Sequence, residues 1–76
     1  MSAKEYVVIL FPGTSHAVRA ESLLVRAGVD CRLVPVPRQL SSDCGVCVRL
    51  APGDEDRALE VLSGAGVVIE GVHTLT

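Results

Sequence analysis

The sequence predicts an α+β sandwich, with four strands in one antiparallel sheet and two helices on one of its faces. Three observations carry that expectation. Apolar runs of strand length alternate with two segments in which small and apolar residues recur at helical spacing. The elements follow the order strand, helix, strand, strand, helix, strand. A faint internal repeat also runs through the chain: Leu23-Leu24-Val25-Arg26-Ala27-Gly28-Val29 resembles Val61-Leu62-Ser63-Gly64-Ala65-Gly66-Val67, and Leu24 and Leu62 stand 38 positions apart in a 76-residue chain. Two βαβ-type halves related in this way make a ferredoxin-like βαββαβ fold with strand order 4-1-3-2. The expectation is a single domain over residues 1–76.

Tyr6-Val7-Val8-Ile9-Leu10-Phe11 is a continuous, β-branched apolar run, as in a central strand buried on both faces. Pro12-Gly13 stops it. A hydroxyl of Thr14 or Ser15 then suits a helix N-cap. The helix runs to about Ala27, with Ala17, Ala20, Leu24 and Ala27 as its buried stripe and Gly28 in the position after the C-cap that favours positive φ. Cys31-Arg32-Leu33-Val34 is the second strand. Pro35 and Pro37 cannot donate to a ladder, so it belongs at an edge. In Val46-Cys47-Val48-Arg49-Leu50, Val46, Val48 and Leu50 face one side, and Cys47 and Arg49 the other. Pro52-Gly53 breaks the chain again. Asp54-Glu55-Asp56 opens the second helix, where the macrodipole favours acids. Its buried stripe is Ala58, Leu59, Leu62 and Ala65, and Val67–His73 forms the last strand.

Composition excludes several function classes. Aromatic residues make up only 3% of the chain, too few for stacking on nucleic-acid bases. The net charge is −2 and the seven Lys and Arg residues form no basic run, so no nucleic-acid partner is expected. No apolar run reaches the length of a membrane span, and no signal peptide stands at the start, so neither a membrane partner nor export is expected and a cytoplasmic location is the expectation. Three cysteines do not make a complete disulfide framework, and in a reducing compartment such thiols turn to metal or redox chemistry or to none.

One long polar loop interrupts this apolar chain, running from Pro35 to Gly45 with Cys44 between Asp43 and Gly45. In the expected fold, strands 1 and 2 both finish at the end of the sheet where the first helix begins. The loop should therefore lie beside Pro12-Gly13-Thr14-Ser15-His16, and the helix N-terminus should favour a thiolate. Arg38 adds a positive charge; Asp43 opposes it if it faces the sulfur. The bland reading of Cys44 is a small core residue at a strand start, but Ser41, Ser42, Asp43 and Gly45 around it argue for a functional thiol. His73, at the far end of the last strand, is left out of the site.

Cys44-Gly45-Val46-Cys47 is also a C-x-x-C. In extended backbone its two sulfurs point to opposite faces, so Cys47 acts as a resolving thiol only if the chain bends at Gly45. Two such cysteines supply half a tetrahedral zinc set, and Cys31 and the histidines are too dispersed to complete it, so no metal is expected. Pro12-Gly13-Thr14-Ser15 lacks the glycine spacing and lysine of a P-loop, although its N–H groups suit a small anion. His16 reads first as a solvent-exposed residue of the first helical turn, with a role beside Cys44 as the alternative.

At Pro37-Arg38 and Ser41-Ser42-Asp43-Cys44-Gly45, the chain resembles a family of small bacterial proteins described as selenium/sulfur (Se/S) carrier protein-like. The likeness runs from about Phe11 to Val72 and includes Phe11-Pro12, Thr14, Ala20-Glu21, Leu23-Leu24 and Ala27-Gly28. It departs at Cys47, where the family pattern calls for a small or apolar residue. The resemblance implies that Cys44 carries sulfur or selenium as a persulfide or selenopersulfide. It also implies a donor, such as a cysteine desulfurase, and an acceptor protein, with no other cofactor. That makes the chain a carrier rather than an enzyme in the strict sense. The rival is a regulatory module similar to ACT domains, in which the loop and helix start bind a small anion or amino acid and Cys44 is structural. A bare interaction domain is a third reading. The sheet face without helices, with Tyr6, Val8, Leu10, Val34 and Val68 beside Arg32, Cys47, Arg49 and Glu70, is expected to join two copies as a homodimer.

Overall fold

The computed structural model describes residues 5–40 and 45–75. The strands are β1 (Tyr6–Leu10), β2 (Cys31–Pro35), β3 (Val46–Leu50) and β4 (Gly71–Leu75), and the helices are α1 (Thr14–Arg26) and α2 (Glu55–Gly64). A short 3-10 turn over Pro52–Asp54 leads into α2. The strands form one sheet in the order β2-β3-β1-β4, with every pairing antiparallel. Read from the other edge this is the expected 4-1-3-2.

β1 lies in the middle because its side chains are apolar on both faces. Val7, Val8, Ile9 and Phe11 are fully buried and Leu10 is nearly so. Val7, Ile9 and Phe11 join Val48 and Leu50 under Ala17, Ala20 and Leu24 of α1 and Ala58 and Leu62 of α2, so both helices cover the same face. Alanine at the contact positions lets each helix sit close to the strands, which suits a core with one phenylalanine and no tryptophan.

The other face is not open. Val8, Leu10 and Cys47 form a second core, against which Tyr6, Val34, Val36, Leu40 and Leu75 pack. Val36 and Leu40 come from the polar loop. The face expected to join two copies thus has its apolar centre covered by the same chain, and Arg32, Arg49 and His73 lie around it.

The repeat reappears as a shared helix ending. In α1, the Gly28 N–H donates to the Val25 carbonyl at 3.0 Å and the Val29 N–H to the Leu24 carbonyl at 2.9 Å. In α2, the Gly66 N–H donates to Ser63 at 3.1 Å and the Val67 N–H to Leu62 at 3.0 Å. Both are Schellman motifs, with Gly28 at φ +85° and Gly66 at φ +73°. Arg57 of α2 ties the halves together by donating to the Ala27 carbonyl at 2.8 Å.

Two expectations are corrected. The N-cap of α1 is Gly13, in extended backbone with no side-chain cap; its carbonyl accepts from the His16 and Ala17 N–H groups, which leaves Thr14 and Ser15 inside the first turn. The last strand starts at Gly71 rather than Val67. Gly71 already pairs with Leu10, and the Glu70 N–H donates to the Leu10 carbonyl at 2.7 Å. An earlier start would run the ladder past Pro12, which has no N–H to offer. Val67 and Ile69 pack under the helices instead, and Val68 and Glu70 do not belong to the helix-free sheet face.

Two glycines in one helix ending give a test. A Cβ at either Gly64 or Gly66 would meet nothing within 4 Å. Gly66→Ala forces a left-handed backbone on a Cβ and should cost about 1–2 kcal/mol. Gly64→Ala, in right-handed backbone, should stabilise by up to about 1 kcal/mol. Urea unfolding of both variants checks the opposite signs.

Candidate functional site

The site residues expected from the sequence fall on two segments. Of the loop, Arg38 and Gly45 are described, and Ser41, Ser42, Asp43 and Cys44 lie outside the described residues. Thr14, Ser15 and His16 are described and exposed in the first turn of α1.

The sheet register shows how these segments relate. Leu10, at the end of β1, pairs with Cys47 near the start of β3, and Pro35, at the end of β2, pairs with Val46. The loop base and the N-terminus of α1 therefore share one end of the sheet, as the topology predicts. Beyond Pro35, the Val36 N–H donates to the Gly45 carbonyl at 3.2 Å, so the ladder continues one step and pinches the loop shut. Gly45 has φ +82°, a left-handed conformation that bends the chain as it enters β3.

The first half of the loop then turns onto the helix-free face. The Leu40 N–H donates to the Pro37 carbonyl at 3.0 Å, closing a turn with Arg38 and Gln39 exposed at its corner. Val36 and Leu40 reach back onto Val8, Leu10 and Cys47. Sequence reasoning took this loop as polar throughout. Its two apolar side chains, at 36 and 40 with prolines around the first, were the available signal that it is anchored.

The two described cysteines are both buried. Cys47 is fully enclosed, with its Sγ 3.9 Å from the Pro35 carbonyl oxygen. Its side chain leaves β3 on the helix-free face, as the alternation predicts, and sits in the cluster with Val8 and Leu10 against which Val36 and Leu40 pack. Cys31 is 8% exposed, with its Sγ 3.9 Å from the Glu21 carbonyl oxygen. Burial pushes the Cys31 thiol up from its ordinary value, and the Glu21 and Asp30 carboxylates push it further the same way. The Cys31 environment therefore disfavours a nucleophilic thiolate.

His73 is not at the far end of β4. It pairs with Val8 in mid-sheet on the helix-free face, exposed, and its ring leans over Gly71, where a Cβ would lie 3.3 Å from Nε2. No group of three or more His, Cys, Asp or Glu among the described residues is placed to hold a metal ion. No described helix is long and apolar enough to cross a membrane.

Two measurements follow. In native protein, Cys31 and Cys47 should react slowly with an aromatic disulfide reagent. Leu40→Ala should speed Cys47 several-fold and leave Cys31 unchanged; equal acceleration of both would mean general loosening. The second concerns pH. A raised thiol pKa in the folded state contributes stability that is complete below the unfolded value, near 9.0, and is lost as pH rises through the folded value. Unfolding free energies should therefore fall more steeply above pH 9 in the wild type than in Cys31→Val.

A comparison with protein-family models matches residues 6–74 to one family, described as "Putative Se/S carrier protein-like". The match takes in β1 through β4, the pinched loop and Cys44. No curated protein and no solved structure matches the chain. With nearly its whole length covered by that match, the chain belongs to the Se/S carrier protein-like family.

Proposed function

We propose that this chain carries sulfur or selenium on Cys44, as a persulfide or selenopersulfide, on a ferredoxin-like scaffold in the cytoplasm. The single observation that carries the reading is the family match over residues 6–74, which spans Cys44. The surroundings support it. The other two thiols are buried, and Cys31 is held towards its neutral form. Gly45, next to Cys44 in the chain, sits in the hydrogen-bonded pinch that fixes the loop base, at the sheet end that also holds the α1 N-terminus. That N-terminus and the exposed Arg38 add positive potential there, which favours a thiolate. Ser41, Ser42, Asp43, Thr14, Ser15 and His16 are the polar groups available to a bound chalcogen.

Loading needs no external oxidant when the donor is itself a persulfide, as on a cysteine desulfurase. The Cys44 thiolate attacks the donor's outer sulfur and a new S–S bond forms. The donor's own S–S bond breaks, and its electron pair leaves with the donor thiolate. Delivery repeats the exchange towards an acceptor. Selenium follows the same course with an S–Se bond formed and broken. Cys47 would resolve such a persulfide only after Val36 and Leu40 lift from the sheet, so its burial supports a carrier that works with one thiol.

Mass spectrometry of protein purified without reductant tests this. The wild type should carry an adduct of one sulfur or one selenium atom that dithiothreitol removes. Cys44→Ser should lose the adduct and keep its fold, with stability changed by less than about 1 kcal/mol. Cys47→Ser should retain the adduct. Equal loading of all three proteins would overturn the assignment to Cys44, and adduct accumulation only in Cys47→Ser would make Cys47 a resolving thiol.

A further inference from the structure

At the end of the sheet away from the loop, a hollow of about 460 Å³ opens on the helix-free face. Tyr6, Val34, Arg32, Arg49, Glu5 and Asp30 are among the residues lining it. Its size falls within the range of small-molecule sites. It is a different place from the loop. Cys31 and Pro35 mark the two ends of β2, four residue steps and roughly 13 Å apart.

Three features of its wall point to a ligand. First, Arg32 and Arg49 are direct cross-strand partners on one face. Like charges in that position repel and destabilise a sheet, and among the described residues no ion pair offsets either. Second, the Arg49 guanidinium lies 4.2 Å from the centre of the Tyr6 ring. This cation–π contact tethers the guanidinium beside that of Arg32 and engages none of its N–H donors in an ion pair. A fork held in this way beside a second one matches a carboxylate. Third, Glu5 and Asp30 line the same hollow. Two cations and two anions in one small cavity sum to no net charge, which disfavours a multiply charged oxyanion and suits a ligand bearing both signs.

We propose that this hollow binds a small zwitterion of the α-amino acid class. Its carboxylate lies against Arg32 and Arg49, its ammonium group faces Glu5 and Asp30, and a short apolar side chain lies against Val34. The site goes beyond the carrier reading and does not rest on it, because Cys44 is not among its lining residues and Cys31, which is, takes no part in carrying the chalcogen.

The experiment is a titration of the ¹⁵N-labelled full chain followed by amide shifts. The probes are L-norvaline, pentanoate (the same molecule without its amine), butylamine (without its carboxylate) and inorganic sulfate. L-Norvaline should shift Tyr6, Arg32 and Arg49 saturably at millimolar concentration, and each single-charge analogue should bind at least about tenfold more weakly. Arg32→Gln and Arg49→Gln should each weaken L-norvaline by about tenfold or more. Arg32→Lys, which keeps the charge but not the fork, should restore only part of the loss. Both arginines are exposed, so circular dichroism should report an unchanged fold in all variants. Pentanoate or sulfate binding as tightly as L-norvaline would make this a simple anion site and overturn the proposal. So would saturation that maps elsewhere, or no saturation by any probe.

Discussion

Burial of β1 on both faces is the constraint on which the rest of the structure depends. A 76-residue chain that is 49% hydrophobic and almost without aromatics has to enclose a short, fully apolar strand from two directions. The helices supply one layer, with alanines at the contacts. The second layer is improvised from the ends of strands and from Val36 and Leu40. The loop that carries the cysteine block is therefore also part of a core. Its base is pinned by the Val36–Gly45 hydrogen bond and its first half by Leu40.

Much of this was legible in the residues. Period-two alternation placed Cys47 and Arg49 opposite Val46, Val48 and Leu50. The run from Tyr6 to Phe11 announced a strand buried on both faces, and the repeat around Leu24 and Leu62 marked two equivalent helix endings. The strand order followed from reading the two βαβ-type halves as a ferredoxin-like fold. These signals are local or periodic, and a single chain displays them directly.

What was missed depended on how distant segments meet. Val67-Val68-Ile69 has the composition of a strand, but the length of β1 and the position of Pro12 decide where pairing starts. Thr14 and Ser15 have cap chemistry, yet the chain turns one residue earlier, at Gly13. The polar look of residues 36–45 concealed two anchoring side chains, since a pair of apolar residues in a loop has no period to betray it. Nor could alternation alone show that Arg32 and Arg49 are direct cross-strand neighbours, because register between strands comes from the assembled sheet.

The outer edge of the sheet at β2 has a bearing on crowding among copies of the same chain. An exposed edge invites further strands to add by backbone hydrogen bonds, the first step towards polymers. Here that edge is only five residues long, bears an outward arginine at Arg32, and ends in Pro35, which has no N–H to donate. An arriving strand would find few aligned donors, one of them next to a fixed charge. At this edge, the short strand, the charge and the proline together disfavour the addition of a further strand by backbone hydrogen bonds.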